Sequence, residues 1–516
     1  MLPDDNTPWP PLAPEVRSAL ADWSAWYSAN PDKLAERYLN RGTRDAQNRP
    51  SQMRGGVVGR FARWWWGQPT PLGEKRAKIH VPLASDIART SSELLFSEPP
   101  QITTEDTAAQ ERIDTLMKGG LRATLLEAGQ VCAALGGVFL RNVWDPEISP
   151  LPWIAPVHAD AAIPDFSYGR LRAVTFWTVL EDDGQRRVRH LERHERGVIR
   201  HAVFEGTLDN LGKRRDLGGF EATRGLILDG DDYLTTGAPG HLTAHYVPNM
   251  RPARDWRDIS SAAWWGQSDF QGIEGLFDAL DETYASWMRD VRLGAGRVLM
   301  PDGFLQSHGP GQGASWEDRE ILTGLNIPPT SEQAMQIVQF AIRVAEHRDT
   351  AAGIISQAIR QAGYSGATFS EGNEGTAVTA TEVKAREKRS MTTRSTKTLY
   401  WEPELAGALE ADAALCVGRF RQSLAVERPK IEFGDSVTED VRELAETAAA
   451  LRTAEAASTE TLVALVNPGR DQTWVKGEAR RILKESSRGP QADPTMTGAE
   501  QAAAGGGLFG GGEAEE

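Results

Sequence analysis

The stretch Ser268–Leu293, SDFQGIEGLFDALDETYASWMRDVRL, carries Phe270, Ile273, Phe277, Leu280, Tyr284, Trp287 and Val291 at alternating steps of three and four. That spacing puts all of them on one side of an α-helix, so the stretch reads as a long rod with a single apolar seam. Ser268 is placed to cap its start and Asp269 to complement the helix dipole. Gly294 and Gly296 stand where it should end. At 1.5 Å per residue the rod spans roughly 36 Å. Asp278, Asp281, Glu282 and Asp290 lie off the seam, which predicts an acidic outer face. A rod with so narrow a stripe packs against other helices.

Composition narrows what such a chain can be. Its 516 residues correspond to about three domains, and 40% hydrophobic residues suffice for a real core. The 72 acidic residues outnumber the 57 basic ones, a net charge of -15. That balance argues against a free-standing nucleic-acid binder, which is usually basic. The two cysteines, Cys132 and Cys416, make neither a zinc set nor a disulfide framework and imply assembly in a reducing compartment. The opening MLPDDNTPWPPLAPE is acidic and proline-rich, unlike a signal peptide. No apolar run is long enough for a membrane span, which takes about 18 residues.

Along the chain, a helix is expected within residues 1–40, with Trp23, Trp26 and Tyr27 on one side. The next landmark, GGVVGRFARWWWGQP, sets Trp64–Trp66 beside Arg60 and Arg63. It suits core or subunit-interface packing better than a base-stacking or membrane-interface patch, because large aromatics are mostly buried. Lys78–Val81 reads as a strand, followed by a helix opened by Pro82 with Leu83, Ile87, Leu94 and Leu95 inward. Helices are predicted over 108–117 and 121–135, then a strand over 138–144. Residues 150–250 read as hairpins with turns at Asp183-Gly184 and Arg196-Gly197. There His190, Glu192 and His194 share one strand face with His201 on the returning strand. Interspersed arginines would repel a cation, so a polar hairpin surface is the better reading than a metal site.

After the rod, a small β unit with strands at 297–300 and 337–344 precedes a helix over 345–362, with Gly363 at its C-terminal cap. YSGATFSEGNEGTA, residues 364–377, is a glycine-rich loop carrying one exposed aromatic, Phe369; without a GK[ST] pattern it is no nucleotide P-loop. The next helix opens with Thr379 and Glu382 at capping-box spacing. It carries Lys384, Arg386, Lys388, Arg389, Arg394 and Lys397, a basic face that suits either DNA phosphates or acidic neighbours between subunits. A separate helix is expected over 403–426, a strand over 430–433, and helices after a capping box of Ser436 and Glu439. Beyond Ser486 the chain is low in complexity and reads as disordered. The fold class expected is α+β. Catalytic signatures are missing: no nucleophile elbow, no dinucleotide fingerprint, no Walker lysine, no activated cysteine. No cofactor and no metal are expected.

The order of these pieces resembles the portal (head–tail connector) proteins of tailed bacteriophages with long non-contractile tails. The stretches that carry the likeness are KIHVPLASDIARTSSELLFSEPP, RHLERHERGVIRHAVFEG, GIEGLFDALDETYASWMRDVRLGAGRVLMP, FAIRVAEHRDTAAGIISQAIRQAGYSGATF, GTAVTATEVKAREKRSMTTRSTKT and STETLVALVNPG. They cover about residues 70–485. The resemblance implies an N-terminal region and wing over 1–267, a first stem helix over 268–293 and a clip over 294–344. A second stem helix over 345–363, a tunnel loop over 364–377 and a tunnel helix returning to the wing over 378–435 follow. A helical crown over 436–485 and a disordered tail over 486–516 complete it.

The resemblance further implies a dodecameric ring at one capsid vertex of a virion, assembled in the host cytoplasm. Double-stranded DNA would pass through its channel in packaging and ejection. Terminase would dock on it, then head–tail adaptor proteins, with the major capsid protein and a scaffold protein as further candidate partners. Such a protein is not an enzyme. Ser365, Thr368, Phe369, Glu371 and Asn373 would face the channel from the tunnel loop. Lys384, Arg386, Lys388 and Arg389 would touch DNA or a neighbouring subunit. Phe270, Phe277, Leu280, Tyr284, Trp287 and Val291 would pack stem helices of neighbouring subunits. The rival readings are another ring-forming virion protein and a metal-dependent hydrolase using His190, Glu192 and His194.

Overall fold

The computed structural model describes residues 2–41, 79–293, 297–301, 306–307, 314–315, 324–325, 336–338, 342–369, 380–434, 441–467 and 472–486. The chain divides into two compact units, Met1–Ser436 and Val437–Glu516. The first unit opens with α1 (Pro14–Tyr27), α2 (Pro31–Arg41), α3 (Leu83–Phe96), β1 (Gln101–Thr103), α4 (Thr107–Leu116) and α5 (Arg122–Leu135). The helix expected near the N-terminus is thus two helices. The segment before α3 is not a strand. The His80 ring and the Val81 backbone N–H both bind the Asp281 carboxylate, at 2.8 and 2.9 Å, so their polar groups are used without a neighbouring strand. α3 packs against α5 at Gly129, where a Cβ would come within 2.8 Å of Ser92 Oγ.

Two sheets follow. β2 (Gly137–Val143) and β3 (Trp153–His158) form the first, and its near-continuous apolar centre is the signature of a strand covered on both faces. The second is built from β4 (Ala162–Ser167), β5 (Arg170–Asp182), β6 (Arg187–Glu195), β7 (Val198–Thr207) and β8 (Asn210–Arg215), in that spatial order. Its turns at Asp183-Gly184 and Arg196-Gly197 lie where the sequence puts them. After the short α6 (Glu221–Arg224), β9 (Tyr233–Thr235) pairs with β7 and β10 (Ala244–Pro248) joins the first sheet beside β2. The N-terminal residues border β8: Pro8 bridges Asn210, and Trp9 is buried edge-on against Trp177.

The long rod, α7 (Glu274–Leu293), begins at Glu274 and not at Ser268. Ser268 is buried, donates to the Ala134 carbonyl at 2.6 Å and accepts from Phe270 N–H at 3.0 Å. These bonds hold residues 268–273 in turns against the end of α5, so Ser268 caps no helix. β11 (Arg297–Pro301), β12 (Gln306–Ser307), β13 (Ala314–Ser315), β14 (Gly324–Leu325) and β15 (Gln336–Val338) come next. β11 pairs with β15 antiparallel and with β14 parallel. The strand expected over 337–344 is shorter, because Val344 already opens α8 (Val344–Ala362). Phe340 lies outside the described residues.

α9 (Ala380–Gly418) is a single helix of 39 residues that runs through Pro403, where a break is expected. An interior proline costs about 3 kcal/mol. Trp401 and Leu405, both fully buried on either side of it, each return about 1.5–3 kcal/mol of burial, enough to offset that loss. β16 (Lys430–Glu432) closes the unit by pairing antiparallel with β1. The second unit contains α10 (Val441–Thr453), α11 (Thr459–Val466) and α12 (Gln472–Ser486). Ser458 caps α11 through Thr461 N–H, and Val463, Val475 and Ala479 form a small core. Trp64–Trp66, Ser436, Glu439 and the tail beyond residue 486 lie outside the described residues.

At the centre of the first unit sits a polar knot. Lys397 Nζ donates to Asp269 at 2.7 Å, to Ser91 Oγ at 2.6 Å and to Tyr364 Oη at 2.9 Å. Tyr364 Oη donates to the same Asp269 oxygen at 2.7 Å, and Asn249 Nδ2 donates to the other, also at 2.7 Å. Lys397 and Asp269 are 1% and 3% exposed. Burial, then the Asp269 charge, raises the tyrosine pKa well above its usual value, so the hydroxyl keeps its proton. The knot ties α3, the β10–α7 connection, the residue after Gly363 and α9. Lys397→Met leaves a buried carboxylate without its cation and should lower the unfolding free energy by about 3–5 kcal/mol in denaturant titration. Asp269→Asn added to it should recover part of the loss. A double variant as unstable as the single one would refute the charge argument.

Candidate functional site

The seam of α7 is divided between two partners. Phe270, Ile273, Phe277 and Leu280 are at most 2% exposed and belong to the core of their own chain, where Trp26 packs against Phe277 with the rings tilted at 52°. Packing between neighbouring subunits is therefore not open to Phe270, Phe277 and Leu280, because their surfaces are already covered. Tyr284 is half-buried against that core. Trp287 stacks on His347 of α8, rings nearly parallel at 10°. Val291, 42% exposed, is the one seam residue that faces solvent.

The acidic face is also partly spent inside the chain. Asp281 holds His80 and Val81. Asp290 receives Arg343 at 2.9 Å and His347 at 3.0 Å, which hold its carboxyl below the usual range, His347 contributing most. Asp278 is half-buried, and Glu282 is exposed. The α7 rod is thus pinned near its far end to the start of α8 by one carboxylate shared between Arg343 and His347.

Past α8, Gly363 takes φ 97° and its N–H returns to the last helical carbonyls. Residues 364–369 are then docked on α9. Ser390 Oγ accepts from Ser365 N–H at 2.9 Å and bonds Thr368 Oγ1 at 2.8 Å; Thr393 Oγ1 donates to the Gly363 carbonyl at 2.5 Å. Phe369 is not an exposed aromatic: it is half-buried, packs on the main core and meets Tyr364 edge-on. Glu371 and Asn373 lie outside the described residues. Lys384 and Arg386 lie on the first turns of α9, and Lys388 and Arg389 are exposed. Arg394 and Lys397 are buried, Arg394 donating to the carbonyls of Leu94 and Gly434. The basic face predicted over 384–397 therefore ends before Arg394.

The histidine set of β6 and β7 is a joint between the two sheets. Arg141 of β2 donates to Glu192 at 2.7 Å; His194 bonds the other Glu192 oxygen at 2.7 Å and Thr243 at 2.6 Å. His190 and His201 stack at 8° and share a hydrogen bond of 3.1 Å. Burial opposes ionisation of Glu192, yet Arg141 and His194 hold its carboxyl well below the ordinary value. Among the described residues no group of three His, Cys, Asp or Glu converges as a metal site would. No helix among them is long and apolar enough to cross a membrane.

A family model described as phage portal protein, SPP1 Gp6-like, matches residues 32–491. The chain belongs to this phage portal protein family. It is a structural component of the virion and not an enzyme. Similar solved structures include a chain from the neck of a native GTA particle computed with C12 symmetry, at 12% identity and TM-score 0.41. Another comes from the virion of a native gene transfer agent particle, at 14% identity and TM-score 0.39. Each alignment covers 80% of this chain and 99% of the other. No curated protein matches the sequence.

What sequence reading missed in this portal protein is the inward polar stripe of α9. Ser390, Arg394, Lys397 and Trp401 recur at steps of four, three and four and are all buried. The spacing was a seam signal, masked because three of its four members are polar. The joint at Glu192 has a pH signature. Burial lowers the pKa of His190 and His194, and lowers His201 from 6.5 to about 4. As pH falls through that window the unfolded chain binds protons first, so folding stability is lost between pH 6.5 and about 4. The melting temperature should fall over that range, and less steeply in a His190→Asn, His201→Asn variant. Equal slopes would place the acid sensitivity elsewhere.

Proposed function

We propose that this portal protein closes, as a dodecamer, into a ring at one capsid vertex and provides the channel for packaging and ejection of double-stranded DNA. Terminase docks on it during packaging and head–tail adaptor proteins afterwards. The major capsid protein and a scaffold protein are the partners proposed for its outer surface, and assembly takes place in the host cytoplasm. The observation that carries this reading is the family match over residues 32–491. The order helix, small strands, helix, glycine-rich segment and long helix from residue 274 to residue 418 supports it. In this assignment α7 and α8 are the stem helices, β11–β15 the clip, α9 the tunnel helix and α10–α12 the crown.

A conduit must let a polyanion slide. Each phosphate held by a cation adds salt-dependent affinity, and a wall making about six to ten such contacts would grip. Here two of the six basic residues between 384 and 397, Arg394 and Lys397, are buried inside the chain. Lys388 and Arg389 remain on the surface and are the proposed contacts to DNA or a neighbouring subunit, with Lys384 and Arg386 before them. Ser365, Thr368 and Phe369 form the anchored root of the tunnel loop, and Glu371 and Asn373 its channel-facing part. Excising residues 371–376, which spares the root, should leave rings in negative-stain images while filled particles retain several-fold less DNA. Loss of rings would make the segment architectural and overturn its role in the channel.

A further inference from the structure

Tyr168 occupies the tip of the β4–β5 hairpin, whose strands stay paired up to Ser167 opposite Arg170. The turn is only Tyr168 and Gly169, both left-handed, at φ 48° and 80°. Turns of this kind favour Asn-Gly, because a Cβ in the left-handed region crowds the following carbonyl. A tyrosine here is a cost to the fold. Its side chain recovers nothing within the chain, since it is 99% exposed.

The tip is also stiff. Gly169 lies so close to Trp264 that a Cβ would come within 2.9 Å of the indole. Trp264 is itself 42% exposed. The hairpin thus presents a tyrosine on an aromatic support, flanked by the exposed side chain of Arg170 and by Arg172, which is paired to Asp165 at 2.6 Å. Exposed Tyr and Trp beside Arg, held in advance of binding, are the residue types that dominate protein–protein hot spots. A residue strained in its own fold and idle there points to a contact outside it.

We infer that Tyr168 anchors the contact between neighbouring copies of this chain, an inference that rests on the ring reading above. A ring closes through heterologous contacts, in which a knob on one copy meets a different surface on the next. A lone rigid hairpin tip has the form of such a knob. Arg170 is placed to meet a carboxylate of a second copy, in a chain with 72 acidic against 57 basic residues. Duplex DNA fits less well, since one tip offers too few cations for the many phosphate contacts that sustain binding.

The test uses the full chain, with ring assembly followed by sedimentation velocity and negative stain across a dilution series. Tyr168→Asn restores the favoured turn, so its melting temperature should equal or exceed that of the wild type. Its rings should nevertheless dissociate at a concentration about tenfold or more higher, the scale of a hot-spot loss. Tyr168→Phe, which keeps the ring surface, should assemble nearly as well as the wild type. Tyr168→Asn rings that persist to the same dilution as wild-type rings would overturn the inference and leave the ring reading intact. A wild-type chain that never forms rings would overturn both.

Discussion

The ion pair between Lys397 and Asp269 is the constraint on which the first unit depends. Two opposite charges taken out of water need close geometry and further hydrogen bonds to be tolerated. Here Ser91, Tyr364 and Asn249 supply them, each from a different segment. Every one of those segments must therefore be in place before the charges are compensated. That makes the knot a device for specificity more than for raw stability: it fixes where α9 lies against α3, and where the chain leaves α8, in one arrangement.

The same logic recurs at smaller scale. Asp290 joins Arg343 and His347, Asp281 joins His80 and Val81, and Arg112 grips Asp412 with two bonds at 2.8 and 2.9 Å. Much of the charge that looks available in the sequence is committed inside the chain. Among the described residues, Glu282 and Arg289 stay exposed on α7, Glu346, Arg348, Asp349 and Arg360 on α8, and Lys388 and Arg389 on α9.

The two sheets add a second kind of joint. Phe139, Phe176, Val174 and Tyr246 form an apolar contact between them; the Arg141–Glu192 ion pair and the His194 hydrogen bond to Glu192 lock it. The residues that looked like metal ligands are thus fastened to an arginine and to each other. Their period-two spacing on β6 was correct; their partners, Arg141 on β2 and Thr243 before β10, come from outside the hairpin and could not be seen from it.

Local pattern was enough to give the α+β class, the helices of residues 83–135, the hairpins with their turns, and the apolar face of α7, though not where that helix starts. Those features depend on periods of two or 3.6 residues and on turn chemistry, which the chain carries in every short window. Packing decided the rest. Whether Phe270 and Phe277 face their own core or a neighbour, whether Pro403 breaks a helix, and whether Lys397 meets water or Asp269 are settled by residues more than 100 positions away, as Asp269 and Lys397 are from each other. A sequence states which face of a helix is apolar, or charged. Only the fold states what that face is pressed against, because burial is a property of the whole chain.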